Sequence, residues 1–472
     1  MTELNSSLFT IAFIVLIFQF FVFYQKLGIK MILHPGTFFA LIWLFSVFSQ
    51  QLLMEFDLAN IRDYESINEL NIFVIITSIC FTLWMFFLQS ERYEFKKDFD
   101  FNLNIELYNK MLVVMLVGAV FLMLYTWYSI GVTSFNLAQI RNLNTSDKTN
   151  YFGTTSDPIL SILKYTQFFY PVFSIVSGYF LGVKYLLNEK LEFKNWFIYI
   201  PLIVSFIYVL TNGGRNPLFI GVKLYFIGLC FTIPKVLAGQ KKRWVINRIF
   251  ILVFSLTLFS TLVADSRSEY NNMDSFSNNF DDPILSNASG FIEYMGAHYY
   301  GYQLRNKDTF NENKLGFGYF TFNGLFSVTM PFSNYVGLDK NLGNLLGYDE
   351  NPIDYFYLWE NGQEGYYTTN SVFLDLKLDF GFIGTIVFLI VFTFYTHKLY
   401  LKTQDKSTIS IYTMFWFYLC FNFWAASNFK SFYASGLVGG FIMFWLFSKF
   451  FTKKNEEYEF TQINSSVNLS NS

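Results

Sequence analysis

Long apolar runs, more than any alternation of polar and apolar positions, set the hydropathy pattern of this chain. They occupy Leu8–Tyr24, Phe38–Leu53, Ile72–Leu88, Met111–Ile130, Ile159–Leu187, Trp196–Leu210, Leu218–Ile233, Ile249–Val263, Val372–Tyr395, Ile411–Trp424 and Phe432–Phe451. A helix climbs about 1.5 Å per residue, so about 20 apolar residues cross a hydrocarbon core about 30 Å thick. Helices also satisfy every backbone N–H and C=O internally where no water is available. The pattern therefore predicts an all-α polytopic membrane protein of about 11 transmembrane helices. Residues 1–264 carry the first eight spans with short connections, and residues 371–451 carry the last three. Residues 265–370 between them form a loop of about 100 residues, well beyond an ordinary connection. Within that loop the apolar but glycine-broken stretch 316–336 reads either as a re-entrant or interfacial helix or as a buried helix of a small loop domain. Residues 452–472, rich in Asn and Ser, read as a disordered tail.

Lysine and arginine orient the spans. With the N-terminus outside, the cytoplasmic connections receive Lys26 and Lys30, then Arg92, Lys96 and Lys97, then Lys184, Lys190 and Lys194. Lys235, Lys241, Lys242, Arg243 and Arg248 follow, then Lys398, Lys402 and Lys406, and Lys453 and Lys454 of a cytoplasmic C-terminal tail. About 20 basic residues fall inside and about 10 outside, and the alternation holds at every loop. The first run has no basic residue before it and no small-residue cleavage site after it, so it reads as a retained span and not a removable signal peptide.

Composition agrees with a membrane protein, at 53% hydrophobic, 14% charged and a mean hydropathy of +0.33. The net charge of -2 identifies no partner, and no feature points to nucleic acid. Cys80, Cys230 and Cys420 all lie in apolar runs, so no structural disulfide or thiolate metal site is expected. His34, His298 and His397 are far apart and form no ligand pattern such as HExxH, so neither a metal nor another cofactor is expected.

Candidate chemistry sits on the outer side. In Gly213-Gly214-Arg215-Asn216-Pro217 the glycines suit a helix C-terminus, while Asn216-Pro217 reads as the N-cap and first position of the next helix. Arg215 then stands beside a helix N-terminus, a place for an anion such as phosphate, the alternative being an arginine snorkelling at the interface. Arg267 follows a span on the same face and can share that anion, or pair with Asp265 or Glu269. Arg141 lies in a polar outer loop without local context. Glu293 and His298 are proton-acceptor candidates in the stretch from Phe291 to Tyr300, although a lone histidine among tyrosines is also an ordinary packing residue. Glu55 and Asp57 read better as solvated charges at a helix end than as bases. Lys164, Lys223 and Lys377 read as snorkelling side chains. The loop's aromatics, Tyr294, Tyr299, Tyr300, Tyr302, Tyr355, Tyr357, Trp359, Tyr366 and Tyr367, fit sugar stacking and interfacial anchoring equally well.

The ordered set of motifs resembles a known family. It comprises the Gly-Gly-Arg-Asn-Pro turn, the post-span Arg267, Tyr299-Tyr300-Gly301-Tyr302, and Gly318-Tyr319-Phe320-Thr321-Phe322-Asn323-Gly324. Tyr367-Thr368-Thr369-Asn370-Ser371 then leads into Leu378-Asp379-Phe380-Gly381-Phe382-Ile383-Gly384. From about Arg141 onward the chain looks like the Wzy-type polymerases of bacterial O-antigen and capsular oligosaccharide repeat units. The resemblance implies a metal-independent, inverting, GT-C-like glycosyltransferase, multi-pass in the bacterial cytoplasmic membrane. Its substrates would be undecaprenyl-diphosphate-linked oligosaccharides, with membrane lipid and a chain-length regulator protein as partners. Arg215, Arg267 and Arg141 would bind the diphosphate, and His298 or Glu293 would act as base. O-antigen ligases share the topology and the large outer loop, and a lipid-linked oligosaccharide flippase is the reading from another class. Nearly charge-free spans and a long outer loop argue against transport.

Overall fold

The computed structural model describes residues 2–55, 64–88, 105–132, 140, 169–186, 193–212, 216–232, 292, 295–296, 299, 302–303, 315, 317, 321, 358–360, 363–365, 371–405, 411–425, 445–446 and 449–450. These residues are almost entirely helical. In chain order the long helices are α1 (Thr2–Leu27), α2 (Pro35–Glu55), α3 (Tyr64–Leu88) and α4 (Ile105–Ser129). They continue with α5 (Phe169–Leu186), α6 (Ile200–Asn212), α7 (Asn216–Cys230), α8 (Val372–Asp405) and α9 (Ile411–Ala425). A 3-10 turn, Gly28–Leu33, joins α1 to α2, and another, Phe193–Tyr199, precedes α6. One short antiparallel hairpin pairs β1 (Leu358–Glu360) with β2 (Gln363–Gly365), Trp359 facing Glu364.

Among the described residues, five helical stretches are long and apolar enough to cross a membrane: Ser7–Leu27, Pro35–Glu55, Tyr64–Leu88, Glu106–Ser129 and Val372–Thr403. Shorter apolar helices cover Val172–Gly182, Trp196–Thr211 and Ile220–Leu229. Each agrees with a run predicted from hydropathy. The predicted span Ile249–Val263 lies outside the described residues, as do most of Phe432–Phe451, the first part of Ile159–Leu187 and the tail 452–472. Large apolar side chains stay exposed along whole helix faces, as with Ile11, Ile14, Phe18 and Phe21 on α1, and Val114, Val117, Phe121 and Leu124 on α4. Stripes of that size are ruinous in water and cost nothing against lipid. The chain is thus an α-helical membrane protein.

The described residues fall into two compact units. The first comprises Met1–Glu94, Ser255–Gln404 and Trp416–Val438. Its core is aromatic: Phe39, Trp43, Phe73, Phe81, Phe373 and Trp424 are all buried, with Trp424 edge-on to Phe39 and Phe81 at 5.5 and 5.0 Å. Sparse polar ties cross between its helices where lipid offers no competing partner. Gln19 on α1 donates to the Gly36 carbonyl of α2 at 2.9 Å and accepts from Ser78 of α3 at 2.6 Å. The indoles of Trp84 and Trp424 each donate to a threonine of α8, Thr393 and Thr396.

The second unit comprises Phe95–Phe254, Asp405–Phe415 and Gly439–Ser472. Its tightest pairing is α5 on α7, and glycine makes it. A Cβ on Gly178 would overlap the Tyr225 carbonyl oxygen, and one on Gly228 would overlap that of Ile175. Small residues at these crossings let backbones approach until dispersion holds them, which is how helices associate without a hydrophobic drive. Tyr108 of α4 fastens the same unit through Ser177 at 2.6 Å, and the Trp127 indole through the Leu210 carbonyl at 3.0 Å.

Candidate functional site

The first unit concentrates polar groups where α2 ends and α3 and α8 begin. Ser371 caps α8: its hydroxyl accepts from the Phe373 N–H at 3.2 Å and its carbonyl from the Leu374 N–H at 3.0 Å. The helix head then carries Asp375, Lys377 and Asp379 at alternate positions. Asp375 and Asp379 are four apart, hence on one helix face, and both are buried. Lys377 reaches Glu69 of α3 in an ion pair of 2.5 Å, largely shielded from solvent. Where the sequence suggested a snorkelling side chain, Lys377 is instead paired with a carboxylate of a neighbouring helix.

Tyr299 and Tyr302 complete this end. The Tyr299 hydroxyl donates to the Asn71 side-chain oxygen at 2.6 Å, and its ring contacts Phe9 and Trp43. Tyr302 is fully buried beside Glu69. Burial first, and then the Glu69 charge, hold the Tyr302 phenol well above its ordinary range, and burial does the same for Tyr299. Both therefore stay neutral hydroxyls. The Asn71 amide nitrogen and the Thr321 hydroxyl make no hydrogen bond among the described residues. Carboxylates, an amide, hydroxyls and aromatic rings at one place form a set suited to polyhydroxylated ligands.

A helix break shapes the same end. Gly381 has φ 69° and ψ −178°, a conformation open only to glycine, and it splits α8 into a polar head and an apolar body. Without the regular turn, the Asp379 carbonyl accepts instead from the Phe317 N–H at 3.1 Å. The Asp379 carboxylate accepts from the Thr321 N–H at 2.6 Å. One residue thus holds two points of the long loop, one through its carbonyl and one through its buried carboxyl group.

At the far end of the unit, about 27 Å along α8, a second polar pair is buried. His34 Nε2 lies 3.0 Å from His397 Nδ1, and the Gly36 N–H donates to His34 Nδ1 at 3.0 Å. An amide can only donate, so His34 carries its proton on Nε2 and gives it to His397 Nδ1. His397 must then be protonated on Nε2, which has no hydrogen-bond partner among the described residues. Burial, and secondly the neighbouring His397, hold the His34 pKa well below its ordinary value. Sequence separation suggested no association of these histidines; the fold joins two residues 363 apart.

Arg141, Arg215, Arg267, Glu293 and His298 lie outside the described residues, as do most of the stretch 316–336 and also Asp57 and Lys164. Arg215 falls between two described helices: α6 ends at Asn212 and α7 starts at Asn216. Glu55, the last residue of α2, is exposed, in keeping with a solvated charge. Glu69, Asn71, Asp375 and the two-point hold of Asp379 went unread in the sequence. The signal available was the D-x-K-x-D spacing at the head of an apolar run. No family model, no curated protein and no solved structure matches the chain.

Proposed function

We propose that this protein is a membrane-embedded glycosyltransferase that polymerises undecaprenyl-diphosphate-linked oligosaccharide repeat units into O-antigen or capsular polysaccharide. In this reading it has about 11 spans in a GT-C-like arrangement in the bacterial cytoplasmic membrane, with the N-terminus outside. The observation that carries the proposal is a convergence. Tyr299 and Tyr302, Thr321, and Asp379 come from three separated stretches of the resemblance, and all are buried at one end of the first unit, Tyr299 on Asn71 and Thr321 on Asp379.

The chemistry is a single displacement. The acceptor hydroxyl attacks the anomeric carbon of the donor glycan, its C–O bond to the diphosphate breaks, and undecaprenyl diphosphate leaves. The hydroxyl proton passes to His298 or Glu293. Arg215, Arg267 and Arg141 offset the charge that grows on the leaving diphosphate, as fixed cations do without a metal. Asn71, Tyr302 and the Glu69–Lys377 pair are further groups of the first unit able to bind sugar hydroxyls.

The test is Arg215→Ala in the native host, with membrane levels verified and surface polysaccharide resolved by gel. The expected outcome is loss of the long-chain ladder with single repeat units still displayed. An unchanged ladder overturns the role of Arg215. Loss of single units as well moves ligation or transport ahead of polymerisation.

A further inference from the structure

Gly381 separates two kinds of sequence. Before it stand Asp375, Lys377 and Asp379; after it residues 382–397 contain no Asp, Glu, Lys or Arg. At about 1.5 Å per residue that charge-free stretch rises about 24 Å, most of the hydrocarbon thickness, and Asp379 and Lys398 flank it, which sets the break at the membrane boundary. Ile383, Val387, Ile390 and Val391 are exposed, at offsets of four, seven and eight positions, and form one apolar stripe of α8. Ile383, at its head, is 76% exposed. On a spanning helix such a stripe faces lipid.

Two exposed loop residues stand at the level of this break. Leu315 is exposed, and its Cδ2 lies 3.7 Å from where a Cβ on Gly381 would stand. Phe317 is 78% exposed, with its N–H fastened to the Asp379 carbonyl. Phe317 is also, among the described residues, the one non-glycine residue with a positive φ, at 47°. A bulky residue is held left-handed only where its surroundings impose it. Here Asp379 fixes Phe317 and Thr321, and the Phe317 ring is left exposed at the level of the Gly381 break. An aromatic ring at this level is the usual interfacial anchor.

We propose that Leu315 and Phe317 form a membrane-contact point of the long loop, seated against bilayer acyl chains at the edge of the hydrocarbon, with Asp379 as the clamp that holds them there. Acyl chains are the occupant because neither side chain carries a polar atom and both are exposed at the level where the lipid-facing stripe of α8 begins. The inference rests on the membrane fold and is independent of the glycosyl-transfer reading.

The test places a nitroxide on Phe317→Cys in the full-length protein reconstituted in phosphatidylglycerol/phosphatidylethanolamine nanodiscs, with Ile383→Cys as the lipid-facing reference. Collision rates with dissolved oxygen and with a water-soluble nickel chelate report depth. Phe317→Cys is expected to favour oxygen over nickel several-fold, as Ile383→Cys does. Nickel access equal to that of a free nitroxide in solution overturns the proposal. So does an oxygen preference that arises only when lipid-linked oligosaccharide is added, since the surface would then belong to the substrate. In an Asp379→Ala background the label's spectrum is expected to sharpen and nickel access to rise; unchanged values overturn the clamp. If that variant does not reach the membrane, the single-label depth decides the lipid contact, and Thr321→Pro, which removes the N–H donated to Asp379, replaces it as the test of the clamp.

Discussion

The polar residues of the first unit act through what they are forced to share. His34 is locked by the Gly36 N–H into a tautomer that donates to His397, so the pair has no site for a further proton unless one of these bonds breaks. Their ring neighbours are Phe23, Phe81 and Tyr400, none of them a carboxylate that would stabilise an imidazolium. The sign of the pH effect follows. The folded His34 pKa is depressed, so below about pH 6.5 the unfolded chain takes up a proton that the folded chain refuses. Stability is thus full above that pH and falls as pH drops, by up to about 1.4 kcal/mol per pH unit for each refused proton. The thermal midpoint in detergent is expected to fall between about pH 7 and pH 5, and the slope to be shallower in His34→Phe. Identical slopes in the two proteins would remove His34 as the cause. At the other end Lys377 shows the same logic with charge: the sequence suggests a snorkelling side chain, and the fold gives it Glu69 as partner.

Breaks and close approaches decide what the elements do. α8 is one hydropathy run, yet Gly381 divides it, and the Asp379 carbonyl freed there receives the loop. Any side chain at position 381 is strained in that conformation, by about 1–3 kcal/mol. Gly381→Ala is therefore expected to lower the detergent thermal midpoint by several degrees and to loosen a label at Phe317→Cys; a midpoint equal to wild type would show that the break tolerates a Cβ. The α5–α7 crossing depends on glycine for a different reason, since Gly178 and Gly228 have ordinary backbones and lack room, not conformational freedom. The hairpin of β1 and β2 was legible in hindsight, since the sequence sets Asn361-Gly362, a dipeptide that favours tight hairpin connections, between Glu360 and Gln363. A search tuned to long apolar runs passes over elements of three residues.

For the whole molecule, basic residues give an orientation that is open to a direct check. Lys30→Cys in the connector between α1 and α2 is expected to resist a membrane-impermeant maleimide in intact spheroplasts and to react once the membrane is opened. Labelling of intact spheroplasts would invert the topology and carry Arg215 to the wrong side for an extracytoplasmic diphosphate. The sequence by itself determined that the chain is helical, that it lies in a membrane, and where several helices begin and end. These are local matters: backbone groups in lipid must be satisfied within the helix, and glycine, proline and asparagine at the ends act on their own residues. Asn212 and Asn216 bound Arg215 as the turn chemistry required. Only the tertiary structure decided which residues meet. Asn71 with Tyr299, Glu69 with Lys377 and His34 with His397 are separated by 228, 308 and 363 positions. A helix that is apolar all round does not announce which face meets protein and which meets lipid, because in a bilayer both environments are equally apolar.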